Sequence, residues 1–239
     1  MTVSVHLVGG GFGRAAFAPF TAEAVAAAPE GQPPVVAVVT VREGGGTGHA
    51  HDLIDAISAD GAAALDIRLV ALAETDVVDP AVFDGVHAIV IGGGLTPAYH
   101  SALEPSYERI RKAVGSGTPY LGFSAGAMIA AERAILGGWL IGGVPVVPDE
   151  TAEDLDEITV VPGIGLVDVS VDVHVAQWGT LARLIAATES GATDGGVGLD
   201  ESTTLIAGAD GLRIAGEGSV WRVSPAEGGV IVSSGRGAL

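Results

Sequence analysis

Five short runs of valine, isoleucine and leucine punctuate the first half of the chain, at 3–8, 35–41, 66–70, 87–91 and 118–122. Each is short, apolar overall and rich in Val, Ile or Leu, as expected of strands buried on both faces. Between them, 15–28, 49–59, 97–115 and 125–136 read as helices. This β-α alternation predicts a parallel sheet with helices on both sides. Beyond 137 the pattern changes. Gly137-Gly138, Gly142-Gly143, Pro145, Pro148 and the acidic run from Asp149 to Glu157 predict a loop or lid with a hairpin, its acids solvated. Valines alternate along Leu166–Val175, which predicts a strand, and 176–189 reads as a helix. From 203 to 233, short strands separated by Gly208-Ala209-Asp210-Gly211, Gly216-Glu217-Gly218 and Glu227-Gly228-Gly229 predict antiparallel hairpins at the sheet edge. No linker or internal repeat interrupts the chain, so one domain over 1–239 is expected.

In a parallel α/β sheet, ligands bind beyond the carboxyl ends of the strands. Four of the predicted strands run into glycine-rich turns at that edge: Gly9–Gly13, Gly44–Gly48, Gly92–Gly94 and Gly122–Gly126. The last is Gly122-Phe123-Ser124-Ala125-Gly126, a G-x-S-x-G pattern between a predicted strand and a predicted helix. A serine at such a corner is held in a sharp turn with its hydroxyl presented, and the small neighbours permit the bend. The N–H groups at the start of the following helix face a developing oxyanion. Ser124 is therefore the candidate nucleophile of a serine hydrolase.

A serine hydroxyl needs a base. Of six histidines, only His174 follows Ser124, and it ends the alternating strand, where Asp172 falls on the same side. The base needs an orienting acid. Glu201 is the best candidate, with Asp200 and Asp172 as alternatives; adjacent residues 200 and 201 face opposite ways in an extended segment.

These segments together resemble the serine peptidase family of peptidase E (aspartyl dipeptidase) and cyanophycinase. Gly122-Phe123-Ser124-Ala125-Gly126-Ala127 is similar to that family's nucleophile turn, and Ile89–Ile91 with Gly92-Gly93-Gly94-Leu95-Thr96 to its strand and triple-glycine loop. Asp172-Val173-His174 followed by Arg183, and Gly198-Leu199-Asp200-Glu201-Ser202-Thr203, resemble its D-x-H and D-E-x-T segments. The resemblance implies a flavodoxin-like, three-layer α/β/α fold related to glutamine amidotransferases. It implies Ser124 as nucleophile, His174 as base and Glu201 as orienting acid. The oxyanion would be met by Ala125 N–H and an N–H of the Gly93-Gly94 turn. Thr96, Asp172, Arg183 and Arg14 are the expected substrate-binding residues, with aspartyl or β-aspartyl dipeptides as the substrate class. Two departures bear on specificity: Leu95 replaces the polar residue often found after the triple glycine, and only Arg183 remains of several arginines after the histidine.

Charge and composition narrow the partners. Eleven basic and 29 acidic residues give a net charge of −18, which repels nucleic acids and anionic membranes. An anionic substrate would need a local arginine, and Arg14, Arg42 and Arg183 lie near strand ends. There is no cysteine, which removes disulfides and thiolate chemistry. No apolar run reaches the ~18 residues of a membrane span, and Met1–Val8 lacks the basic region of a signal peptide, so a cytoplasmic protein is expected. A small peptide is the expected partner, with a homodimer left open, and the chemistry calls for no metal or organic cofactor.

Other patterns fit less well. Gly9-Gly10-Gly11-Phe12-Gly13-Arg14 has the wrong glycine spacing for a dinucleotide loop. His49-Ala50-His51 would pair on a strand but diverges on the helix predicted there, and His87 and His100 read as structural. An α/β-hydrolase esterase would order its triad serine, acid, histidine, with Asp149 or Asp168 as the acid. A catalytically silent amidotransferase-like binding domain is the rival from outside enzymology.

Overall fold

Four of the five apolar runs become the centre of the molecule; the fifth, at 66–70, forms the edge of the sheet, where, against expectation, it is not buried on both faces. The computed structural model describes residues 4–58, 64–209 and 211–237. Residue 3 of the first expected strand, residue 59 of the second expected helix and Asp210 of an expected turn lie outside that set. In chain order the elements are β1 (Ser4–Val8), α1 (Arg14–Ala27), β2 (Val35–Val41), α2 (Gly48–Ser58), β3 (Asp66–Leu72) and β4 (Ala88–Ile91). Next come α3 (Thr96–Leu103), α4 (Tyr107–Gly115), β5 (Tyr120–Phe123), α5 (Ala125–Met128), β6 (Arg133–Gly137), β7 (Leu140–Ile141), β8 (Val144–Pro145) and β9 (Thr159–Pro162). The chain continues with β10 (Ser170–Val173), α6 (Val175–Trp178), α7 (Leu181–Glu189), β11 (Gly196–Leu199), β12 (Thr203–Gly208), β13 (Gly211–Gly216), β14 (Ser219–Ala226) and β15 (Gly229–Arg236).

The main sheet has the order β13-β12-β1-β5-β4-β2-β3. Its β1, β5, β4, β2 and β3 are parallel, and the β12–β13 hairpin extends it antiparallel. Alternate residues of β2 explain the layering. Val36 and Val38 pack with Phe17 and Phe20 of α1 and Leu53 and Ile57 of α2. Ala37, Val39 and Val41 face the opposite core, with Tyr99 and Leu103 of α3, Ile110 of α4 and Met128 of α5. Both faces are therefore covered, giving a flavodoxin-like α/β/α arrangement with a mostly parallel sheet. No helix among the described residues is long and apolar enough to cross a membrane.

Several expectations are corrected. The helix expected over 125–136 lasts one turn, α5, and the chain then becomes β6. Its residues form long-range bonds in place of helical ones: Ile164 and Leu166 N–H donate to the carbonyls of Ile129 and Ala130, and Glu132 N–H donates to that of Val167. Helix 97–115 divides into α3 and α4 at Glu104-Pro105-Ser106, where proline has no N–H to give. The strand expected through Val175 stops at Val173, because His174 takes a left-handed backbone (φ 55, ψ 33), and Gly179 (φ 75) then separates α6 from α7. The C-terminal hairpins also divide. While β12–β13 borders the main sheet, β14 and β15 join β10 and β11 in a second, four-stranded sheet. The expected hairpin within 137–157 is present as β7–β8.

Candidate active site

Ser124 stands between β5 and α5 with φ 51 and ψ −110, a backbone conformation that L-residues rarely adopt. Such strain costs about 1–3 kcal/mol and persists only where the surroundings enforce it. Here Ser124 N–H is fixed to Val8 O at 2.9 Å, and the flanking glycines have no room for side chains. A Cβ on Gly122 would lie 2.3 Å from Gly126 O, and one on Gly126 would lie 2.3 Å from Ile91 O. The turn therefore requires glycine at both positions.

The hydroxyl of Ser124 lies 2.8 Å from His174 Nε2, and His174 Nδ1 lies 2.8 Å from Glu201 Oε1. With the proton on Nδ1, the imidazole donates to Glu201 and accepts from Ser124. Burial pushes the His174 pKa below its usual 6.5, against the opposing pull of the Glu201 hydrogen bond and charge. The ring is thus held neutral and able to take a proton near neutral pH. The left-handed turn at His174 removes it from the strand alternation that was expected to align it with Asp172, whose carboxylate pairs with Arg183. The glycine loop after β1 makes space for the ring: a Cβ on Gly10 (φ 110) would lie 2.1 Å from His174 Cε1. This loop packs on the imidazole and on Ser202, whose hydroxyl accepts from Gly13 N–H.

The alternative acids are engaged elsewhere. Asp200 accepts from the N–H groups of Ala176 and Ser219 and from Trp221 Nε1. Asp172 meets Arg183 in a bidentate pair, Nε to Oδ2 at 2.8 Å and Nη2 to Oδ1 at 2.7 Å. Arg183 Nη1 also donates to Thr151 O at 2.6 Å. Asp172 is 0% exposed and Arg183 2%. Their charges are consumed by each other and by the lid backbone.

A cleft of about 910 Å³ opens over Ser124 and His174. None of Thr96, Asp172, Arg183 or Arg14 lines it. Thr96 is fully buried, its N–H donating to Glu153 Oε2, and Arg14 opens α1 on the exposed surface. Instead, Arg42 is the one lysine or arginine among the described lining residues, set against Asp149, Glu150, Glu153, Asp154 and Asp156 of the lid. Arg42 Nε is buried without a hydrogen-bond partner. Trp139 and Trp178 complete the walls, and the Trp178 indole stacks on His174 with ring centroids 3.9 Å apart and planes 12° apart. The sequence carried a signal for Trp178, an aromatic one helical turn after the histidine, and for Arg42, which directly follows β2 at the ligand edge.

Two backbone donors near the serine are without partners among the described residues: Ala125 follows Ser124 in the chain, and Gly94 lines the cleft beside it. Neither Ala125 N–H nor Gly94 N–H donates to any described group. Gly93 N–H, in contrast, donates to His49 Nε2 at 3.0 Å. The expected oxyanion set of Gly93, Gly94 and Ala125 is thereby reduced to two open N–H groups. His49 and His51 diverge on α2; His87 Nδ1 accepts from Val35 N–H and His100 bonds Pro162 O. No group of three or more histidines or acids among the described residues is arranged to hold a metal ion.

The model of peptidase family S51 matches residues 61–214. Cyanophycinase of Synechococcus elongatus is 38% identical over 124 residues, covering 51% of this chain and 36% of that protein. Cyanophycinase of Nostoc sp. is 35% identical over 126 residues, 52% of this chain and 39% of its own. The matched region thus spans little more than a third of those relatives. Among solved structures, a peptidase from an acI-B1 actinobacterium superposes with a TM-score of 0.68 at 15% identity, covering 100% of this chain and 96% of that one. A putative peptidase E protein from Listeria monocytogenes EGD-e gives a TM-score of 0.59 at 14% identity, over 91% and 100% of the two chains.

Proposed function

The chain belongs to peptidase family S51, and from that premise we propose that it is a serine peptidase in which Ser124, His174 and Glu201 act as nucleophile, base and orienting acid. One observation carries the reading: the strained serine, the imidazole and the carboxylate are joined by two contacts of 2.8 Å at the floor of a cleft. Ser124 Oγ would attack the scissile carbonyl as His174 Nε2 takes its proton. The N–H groups of Ala125 and Gly94 would hold the oxyanion. His174 would then return the proton to the leaving amine, and water would repeat the sequence to release the acyl group.

The cleft also supports a substrate reading. An aspartyl or β-aspartyl carboxylate would meet Arg42 in place of Arg183 or Arg14, because Arg42 lines the cleft and they do not. The five acids on the lid suit a basic group or free amino terminus further along the peptide. The test is hydrolysis of Asp-X and β-Asp-X dipeptides, with X basic, neutral or acidic, against their asparaginyl counterparts. Basic X should be preferred and acidic X refused. Arg42→Ala should raise KM for the aspartyl members about 10- to 100-fold, the worth of a hydrogen bond to a charged group, and spare the asparaginyl ones. Equal loss on both sets would remove Arg42 from recognition.

A further inference from the structure

The histidine pair of α2 has no part in the chemistry described so far, yet His49 reaches the site. It accepts a hydrogen bond from Gly93 N–H at 3.0 Å, while the fully buried Tyr99 hydroxyl donates to Gly93 O at 3.1 Å. One residue of the triple-glycine loop is therefore gripped at both of its polar groups. The consequence follows from peptide geometry. In a planar trans peptide, the carbonyl and the next N–H point in opposite directions. Tyr99 draws Gly93 O inward, so Gly94 N–H is turned the other way, and Gly94 lines the cleft over Ser124. The loop cannot replace these anchors with a bulkier residue at 93, since a Cβ there would lie 2.7 Å from Ser124 Cβ.

The anchor works only if His49 Nε2 carries no proton. The surroundings favour that state. His49 packs against Phe12 and Phe123, with ring centroids 6.0 and 5.3 Å away. Burial, then the Arg42 charge, push its pKa down to about 4 against the opposing Asp52. At neutral pH the ring is an acceptor with its proton on Nδ1.

We infer that His49 is a positioning residue that, with Tyr99, locks the Gly93–Gly94 peptide so that Gly94 N–H is aimed at the oxyanion formed on Ser124. This rests on the serine-nucleophile reading above.

The test compares inactivation rates with a fluorophosphonate, whose phosphoryl oxygen occupies the oxyanion site, and kcat and KM on p-nitrophenyl acetate. The variants are His49→Leu, His49→Gln and Tyr99→Phe. Losing a full oxyanion donor costs about 10^2–10^3 in rate, so disordering one should slow His49→Leu and Tyr99→Phe on the order of 10- to 100-fold. The loss should fall on kcat with KM little changed. His49→Gln, which restores a non-titrating acceptor, should recover most of the rate. Should His49→Leu fail to fold, Tyr99→Phe, which deletes only a hydroxyl, carries the same comparison. Wild-type rates in both His49→Leu and Tyr99→Phe, or a His49→Gln loss equal to that of His49→Leu, would overturn the inference and leave the nucleophile untouched. A wild-type protein that does not label at Ser124 would overturn both readings.

Discussion

His174→Ala should lower kcat/KM by about 10^4- to 10^6-fold, the size of loss seen when a serine nucleophile is deprived of its base. The reason is local. Ser124 Oγ has one imidazole in contact, at 2.8 Å, and the N–H groups proposed for the oxyanion, those of Gly94 and Ala125, would stabilise charge without removing a proton. The same assignment fixes the pH profile. A protonated imidazole cannot accept from Ser124, so activity falls as pH drops through the His174 pKa. Burial places that pKa below the usual 6.5, and the Glu201 contact opposes the shift. The acid limb of kcat/KM should therefore have its midpoint below 6.5, with a plateau above it. Glu201→Gln should move the limb to still lower pH, because the carboxylate that favours the imidazolium is gone, and should lower the plateau as well. An unchanged limb in Glu201→Gln would remove the carboxylate from its orienting role.

Asp172→Ala should destabilise the fold by about 3–5 kcal/mol, the cost of leaving a buried charge uncompensated. Arg183 is 2% exposed, and two of its three nitrogens donate to Asp172. The third donates to Thr151 O, so the pair ties β10 and α7 to the lid segment. Removing the arginine's partner should therefore loosen the lid as well as the body. Replacing both residues together, Asp172→Leu with Arg183→Met, should recover much of the loss, since apolar groups of similar volume need no partners. Chemical denaturation of the three proteins measures this directly. A single variant as stable as wild type would mean that water reaches the guanidinium.

The sequence was most legible where one residue's local surroundings decide its structure. The apolar runs of β1, β2, β4 and β5 needed burial on both faces, and the main sheet supplies it; β3 lies at the sheet edge, and its residues are only half-buried or exposed. Gly122 and Gly126 were readable because no other residue fits the turn around Ser124. Glu201 was preferred over Asp200 by resemblance, and the contacts give the physical reason: three donors already occupy Asp200. What escaped the sequence depends on contacts between distant segments. The run 129–136 has good helical residues, but carbonyls at 129 and 130 are claimed by N–H groups from 164 and 166. Arg183 and Asp172 each read as a substrate-binding residue, and nothing along the chain says that they pair and are buried together against the lid. His49 looked like half of a metal pair on a strand or a helix residue of no consequence. Only the approach of α2 to the loop after β4 shows that its Nε2 meets Gly93.

The most direct test of the central claim is mass-spectrometric mapping of the residue modified by a fluorophosphonate. The account predicts a single adduct on Ser124, formed at a rate that follows the acid limb of His174, and no adduct in a folded Ser124→Ala protein. An adduct on another residue, or undiminished labelling of Ser124→Ala, would contradict it.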